Sequence, residues 1–259
     1  MRPNERRQHI LELLRQRERI SVDELARTLS ASQETIRRDL ADLADSGQVT
    51  KFHGGASLPP RGEHENAFQT RMNEFSQEKR AVARYAAGLY SPGDSLLIDT
   101  GTTTLFFARE LARLNRITVI TNSLQIADSI GASGNRVFMI GGEYRPESNQ
   151  NSGPLALEQI ARFNAEHAVV TIGALSVDGA FDFSIEEAEI ARAMIARARY
   201  LTVIADSSKL GRSALFQVFP LERIDRLIID RKPVGELGSA LARANVDVHE
   251  AQVTPKTDW

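Results

Sequence analysis

Two places in the chain combine residue types at spacings that could do chemistry. The first is SQETIRRDLADL, residues 32–43. Read as a helix from Gln33, it puts Ile36, Leu40 and Leu43 on one face, with Glu34, Arg38 and Ala41 opposite and Gln33 and Arg37 flanking the apolar stripe. An arginine can grip guanine O6 and N7 with two hydrogen bonds, a glutamine can do the same at adenine N6 and N7, and a threonine hydroxyl can reach a phosphate or a base edge. Candidate nucleic-acid contacts are therefore Ser32, Gln33, Glu34, Thr35, Arg37 and Arg38, with Lys51 and His53 behind them. Arg2, Arg6 and Arg7, ahead of the first helix, suit phosphates. The plain alternative is a solvated mixed-charge helix in which Glu34 and Arg38 form an i,i+4 pair worth about 0.2–0.5 kcal/mol. Asp39, Asp42 and Asp45 repel a phosphate backbone, so only Gln33 to Arg38 should approach a groove, with Asp39 available to a neighbouring base, either around Arg37 or on helix one.

The second place is Asp99-Thr100-Gly101-Thr102-Thr103-Thr104, where an apolar strand gives way to a helix. The amide groups and dipole of a helix N-terminus favour an anion, Gly101 admits close backbone approach, and threonine hydroxyls add donors. Thr121-Asn122-Ser123 and Gly141-Gly142 end the next two strands, and Asp206 with Lys209 ends a later one. The candidate ligand-binding set is Asp99, Gly101, Thr102, Thr103, Thr104, Thr121, Asn122, Ser123, Gly141, Gly142, Asp206 and Lys209, with Arg145 and Lys79 as weaker candidates. Each has an ordinary alternative: helix caps for the threonines, Asn122 and Ser123, and a surface loop for Lys209. No catalytic group, metal or cofactor is expected.

The elements that must position these residues fall into two textures. Residues 1–57 are helical with short loops, residues 58–75 carry two prolines, a glycine and mixed charge and read as a linker, and residues 76–259 alternate apolar strands with helices. In the first part, Pro3 opens a helix bearing Ile10, Leu11, Leu13 and Leu14, and Ser21-Val22-Asp23-Glu24 reads as a reciprocal capping box. Ser32 caps the third helix, Gly47 ends it, and Val49 to Phe52 followed by Gly54-Gly55 reads as a β-ribbon. The order is a helix-turn-helix, at about residues 20–39, with a wing. In the second part, SLLID (95–99), ITVIT (117–121), RVFMIGG (136–142), AVVTIGA (168–174), LTVIAD (201–206) and RLIID (226–230) predict a doubly wound, mostly parallel α/β sheet with ligands at its carboxyl ends. The composition sets outer bounds. Of 259 residues, 42% are hydrophobic and 25% charged, which excludes wholesale disorder, and a net charge of −2 gives no overall pull on nucleic acid. There is no cysteine, which excludes disulfides, thiolate metal sites and a thiol nucleophile. The start, MRPNERRQHILELL, lacks the apolar core of a signal peptide, and no apolar run approaches about 18 residues, so a soluble, cytoplasmic protein is expected.

These residues resemble the DeoR family of bacterial transcriptional regulators over nearly the whole chain. The N-terminal signature is SVDELARTLSASQETIRRDLADLADSGQVTKFHGGA, in which S-x-x-T-I-R-R-D-L followed by H-G-G-A is highly specific. The C-terminal part is similar to the family's sensor domain at IDTGTTT, VITNS, MIGG and ADSSK, four motifs in the right order. The resemblance implies a winged helix-turn-helix joined to a sensor of the ribose-5-phosphate-isomerase/CoA-transferase-like fold. It also implies operator DNA and a phosphorylated sugar or related metabolite as partners, a homo-oligomer, and regulation that is commonly repression. A sugar-phosphate isomerase is the rival reading. Asp178-Gly179-Ala180-Phe181-Asp182 superficially resembles that enzyme's paired acids, yet it lies past a strand end with no glycine-rich segment and catalytic lysine after it. An acidic turn bending at Gly179 is the simpler reading, and no enzymatic activity is expected.

Overall fold

The structure is a computed structural model that describes residues 3–17, 19–45, 49–52, 54–57 and 66–253. It divides into two compact units between Thr70 and Arg71.

The first unit runs α1 (Pro3–Arg17), β1 (Arg19–Ser21), α2 (Val22–Thr28), α3 (Gln33–Asp45), β2 (Thr50–Phe52) and β3 (Gly55–Ser57). Its core is Ile10, Leu11 and Leu14 of α1, Ile20, Val22 and Leu25, and Ile36, Leu40 and Leu43 of α3, closed by Val49 and Ala56. The apolar stripe of α3 therefore sets which face is hidden, and the opposite face is left to solvent. Between α2 and α3 the chain reverses within a few residues: Ser30 adopts a left-handed φ of 50°, and the Ala31 N–H donates to the Ala26 carbonyl at 3.0 Å. The wing is a three-stranded antiparallel sheet in the order β1-β3-β2, with Ile20 and Lys51 both opposite Ala56. Gly55 is required there, because a Cβ would stand 2.5 Å from the Ile20 carbonyl oxygen. Only half of the expected capping box forms. The Ser21 hydroxyl accepts from the Glu24 N–H at 3.2 Å, but the Glu24 carboxylate turns to Arg17 instead of returning to the Ser21 backbone. A guanidinium within reach offers a charged donor that outcompetes a backbone amide. Gly47, His53, Arg2 and Leu58 lie outside the described residues.

Part of the stretch read as linker is structured. α4 (Phe68–Asn73) crosses the division between the units, with Phe68 only 3% exposed. Its end is held by Lys79, whose ammonium donates to the Arg71 carbonyl at 2.6 Å. A buried aromatic and a charged donor on an orphan helix carbonyl are sufficient to order it.

The second unit continues with α5 (Ser76–Ala87), β4 (Ser95–Ile98), α6 (Thr102–Leu111), β5 (Thr118–Thr121), α7 (Leu124–Gly131) and β6 (Arg136–Met139). A hairpin of β7 (Glu143–Arg145) and β8 (Gln150–Ser152) follows, then α8 (Pro154–Ile160), β9 (Ala165–Val170), β10 (Ala174–Ser176), β11 (Gly179–Asp182) and α9 (Ile185–Ala196). The chain ends with β12 (Ala198–Ala205), β13 (Phe216–Phe219), β14 (Arg226–Ile229), α10 (Gly235–Arg243) and β15 (Asp247–Glu250). Seven strands form one parallel sheet in the order β15-β14-β12-β9-β4-β5-β6. From β4 the chain winds outward through β5 and β6, then returns to β9 beside β4 and winds the other way. The switch between β4 and β9 opens a crevice at their carboxyl ends. Strands such as Leu96-Leu97-Ile98 and Val203-Ile204-Ala205 are buried throughout, the texture of a sheet covered on both faces. Among the described residues, no helix is long and apolar enough to cross a membrane.

Candidate functional site

The first candidate site is built on α3. Ser32 caps the helix: its hydroxyl accepts from the Thr35 N–H at 3.2 Å and lies 2.8 Å from the Thr35 hydroxyl. Gln33, Glu34, Arg37 and Arg38 are exposed around the first two turns, as is Lys51 on the wing. The Arg37 guanidinium donates only to Gln33, at 3.5 Å on the same helix, and no ion pair joins Glu34 to Arg38 among the described residues. The helix thus presents two arginines and a glutamine whose donors are available to a groove. His53 lies outside the described residues.

The acids that follow have a definite role. Arg6 of α1 pairs with Asp39 at 2.5 Å, and Arg7 stands 3.9 Å from Asp39 and 3.3 Å from Asp42. Asp39 is therefore a buried staple between α3 and α1. This corrects the expectation for Arg6 and Arg7, whose guanidiniums are engaged inside the unit by carboxylates more than 30 residues later in the chain.

The second candidate site is the carboxyl edge of the parallel sheet, where the order of strand ends is Gly141-Gly142 after β6, Thr121-Asn122-Ser123 at β5, Asp99 after β4, Thr171 after β9 and Asp206 after β12. Asp99 and Thr171 sit at the winding switch. Both Asp99 oxygens accept from the Thr171 N–H at 3.1 Å. Burial pushes the Asp99 carboxyl well above the usual carboxylate range; the Thr171 hydrogen bond opposes this, Asp182 and Glu187 add to it, and the Thr104 hydroxyl opposes it. Gly101 has an extended backbone, so its missing side chain serves close approach. A Cβ there would stand 2.1 Å from Thr171 Cγ2, which fills the space.

A hydrogen-bonded chain crosses the edge from this point. The Thr100 hydroxyl donates to Asn122 Oδ1 at 3.2 Å, Asn122 Nδ2 donates to Gln150 Oε1 and the Asn151 carbonyl at 2.9 Å each, and Gln150 Nε2 donates to Glu187 Oε1 at 3.1 Å. Asn122 is thus neither a helix cap nor a loose side chain but the middle of a buried polar network. Ser123 takes the cap, accepting from the Ile126 N–H at 3.5 Å, and the Thr121 hydroxyl accepts from the Ser123 N–H at 3.1 Å. Thr104 donates to the Gly101 carbonyl at 3.1 Å, while Thr102 and Thr103 are buried in the first turn of α6. The Gly141 N–H donates to Gln159, and Gly142 holds a φ of 148° at a point where a Cβ would meet the Ser152 carbonyl oxygen at 2.5 Å.

Two strands away, Asp206 caps the turn Ser207–Lys209, accepting from the Ser208 N–H at 3.1 Å. Its other oxygen lies 3.9 Å from the buried ammonium of Lys79. Burial lowers Lys79 to about 8; Asp206 opposes that shift, Lys209 reinforces it, and Glu74 and Arg71 make lesser contributions of opposite sign. The edge therefore has an acidic, amide-rich end around Asp99, Asp182, Glu187 and Asn122, and a cationic end around Lys79 and Lys209. Lys79, read as a weaker candidate, is buried like most of the set. Thr171, Gln150 and Glu187 escaped the sequence reading, which named Asp182 only within an acidic turn. Asp182 does not lie in a bland acidic turn: it ends β11, is buried, and acts electrostatically on Asp99, while Asp178 and Gly179 make the bend. Arg145 is exposed and pairs with Glu143 at 3.4 Å.

Comparison with known proteins agrees with this construction. Residues 6–61 match the DeoR-like helix-turn-helix domain, and residues 74–231 match the DeoR C terminal sensor domain. The chain is 32% identical over 247 residues to the HTH-type transcriptional repressor CsqR of Escherichia coli (strain K12), covering 95% of this chain and 94% of that one. It is 30% identical over 235 residues to the glycerol-3-phosphate regulon repressor of the same organism, covering 90% and 93%. Among solved structures it is similar to ribose 5-phosphate isomerase A from Methanocaldococcus jannaschii, with a TM-score of 0.39 and 16% identity over 53% of this chain and 55% of that one. With a capped, exposed α3 beside a wing, a parallel sheet opening at its winding switch, and both family matches in that order, the chain belongs to the DeoR family of DNA-binding transcriptional regulators.

Proposed function

We propose that this regulator is a repressor of a sugar or related carbon-metabolism operon, released from or fixed to its operator by a phosphorylated metabolite in the sensor crevice. Gln33, Thr35, Arg37 and Arg38 are assigned to base edges or nearby phosphates in the major groove, and Ser32, Glu34, Lys51 and His53 to the flanks of that contact. One observation carries the DNA assignment: the buried line Ile36, Leu40 and Leu43 leaves Arg37 and Arg38 exposed on the first two turns, while Asp39 is withdrawn into the pair with Arg6. That division suits a groove-inserted helix, with cations outward on its first turns and Asp39 turned away from the groove.

In the sensor, Lys79 and Lys209 are assigned to the anionic group of the effector, and Asn122 and Asp99 to its hydroxyls. The amide and carboxylate end can accept and donate to a polyol, and the cationic end suits a phosphate. The mechanism is linkage: an effector that binds one sensor arrangement better shifts the affinity for DNA by the same factor. Symmetric oligomers match repeated half-sites, and a homo-oligomer is part of the proposal. The names of the relatives support repression and a phosphorylated metabolite. No turnover is proposed, and incubation with pentose phosphates should leave them unchanged.

The deciding experiment is gel retardation at one fixed salt, using DNA from upstream of the protein's own gene, with and without a panel of phosphorylated sugars and polyols. Arg38→Ala should weaken specific binding by about 1–3 kcal/mol. Wild-type retardation by that variant would remove α3 as the reader, and a panel without effect on either DNA binding or melting temperature would remove the phosphate assignment.

A further inference from the structure

The opposite, amino-terminal rim of the parallel sheet carries a second constellation that neither DNA reading nor effector binding uses. Asp94 immediately precedes β4, and Glu166 and His167 are the second and third residues of β9, its neighbour in the sheet, where Leu96 stands opposite His167. One ligand-capable atom from each of the three lies within 4.8 Å of the other two. The side chains are held in place by other contacts. Asp94 Oδ2 accepts from the Ser91 N–H at 2.8 Å, and the His167 ring is stacked on Tyr200 at 5.6 Å and met edge-on by Tyr90 at 5.1 Å.

Two further observations bear on what the cluster could hold. His167 Nδ1 is buried and has no hydrogen-bond partner among the described residues, an uncommon state for a buried polar atom. Neither Asp94 nor Glu166 has an ion-pair partner among the described residues, and Arg226, the cation felt by His167, leans to Asp247 at 3.9 Å. Glu166 is exposed, so the position is open to solvent.

We propose that Asp94, Glu166 and His167 bind one divalent transition-metal cation of the zinc and cobalt class at the amino-terminal rim of the sheet. One imidazole and two carboxylates are a borderline donor set that suits such ions better than magnesium or calcium. Three protein ligands leave positions for water, and the ion ties together the two strands that flank the winding switch from their far ends.

The test is competitive titration of chelator-stripped full-length protein with Zn2+ against a chromophoric chelator, with Co2+ absorption as the spectroscopic readout. One high-affinity Zn2+ per chain is expected, weakened at least tenfold by Glu166→Gln and by His167→Gln, with loss of the cobalt ligand-field band in both. Glu166→Gln alters an exposed side chain, and its circular dichroism should match wild type, so the proposal stays testable if His167→Gln fails to fold. His249→Gln removes a rival histidine beside Asp247 and should leave Zn2+ binding unchanged. Zn2+ binding that survives Glu166→Gln undiminished, follows His249, is absent altogether, or is outcompeted by equimolar Mg2+ or Ca2+ overturns the assignment.

Discussion

The two recognition regions are built on opposite principles. On α3 the candidate reading residues are exposed and hold few partners of their own; among the described residues Arg37 reaches only Gln33. At the sensor edge nearly every candidate polar atom is buried and already bonded, from Thr100 through Asn122 and Gln150 to Glu187. A DNA-reading face has to leave its donors for a ligand that brings its own dense array of acceptors. A small-molecule crevice must fix its geometry in advance, because a small ligand offers few contacts with which to order it. It follows that substitutions at the sensor edge register in folding, while substitutions on the reading face register in binding.

The sharpest way to break that distinction is Gly101→Ala. The added methyl meets Thr171 Cγ2 at 2.1 Å in a packed interior, and a stability loss of about 3 kcal/mol is expected in denaturant unfolding. Adding Thr171→Ser, which removes that methyl, should recover part of the loss; no recovery would mean that the glycine serves something other than this contact. Next comes Asp39→Ala, on the buried back of the reading helix. It removes the carboxylate that pairs with Arg6, only 12% exposed, and should cost about 2 kcal/mol of stability in the same measurement.

A third test uses pH. An acid whose carboxyl is raised in the fold contributes stability at low pH that is lost as pH climbs from the ordinary carboxylate range to the raised value. Asp99 is such a group. Asp99→Asn should therefore melt above wild type at pH 7, with the gap narrowing toward pH 3, where Asp99 is mostly protonated in folded and unfolded chains alike. Parallel melting curves across that range would show that Asp99 carries no such penalty. The smallest effect belongs to Asp42→Ala, whose carboxylate is half exposed beside Arg7 and should change stability by no more than about 0.5 kcal/mol. A loss as large as that of Asp39→Ala would place the staple at the wrong acid.

Much of the frame was legible in sequence because it is periodic. The α3 stripe repeats at the helical spacing, and strands such as Val119-Ile120 and Leu227-Ile228-Ile229 are short apolar runs bounded by polar strand ends. That is why the sequence alone puts Asp99, Thr121 and Asp206 at the carboxyl edge. The β7–β8 hairpin has no such signal: Gln150-Asn151-Ser152 is entirely polar, yet Gln150 is buried at the centre of the network. Thr171 bonds Asp99 across 72 residues of chain, and Asp182 reaches it from a different sheet. Contacts of that range are set by strand order, which no local pattern encodes. The two Arg-Arg pairs show the same limit within one small unit. Arg6-Arg7 and Arg37-Arg38 are the same dipeptide, and only the tertiary positions of Asp39 and Asp42 decide that the first pair turns inward.

The pair between Arg6 and Asp39 also bears on how this chain could be re-engineered. The residues proposed to spell out a sequence occupy the front of α3, but the tilt at which they are offered is fixed from behind, by a side chain on a different helix. Transplanting residues 32–38 alone into another scaffold would carry the letters without the angle at which they are held. A functional graft has to bring α1 along with α3, and a search for altered operator preference should sample Arg6 and its neighbours as well as the exposed residues.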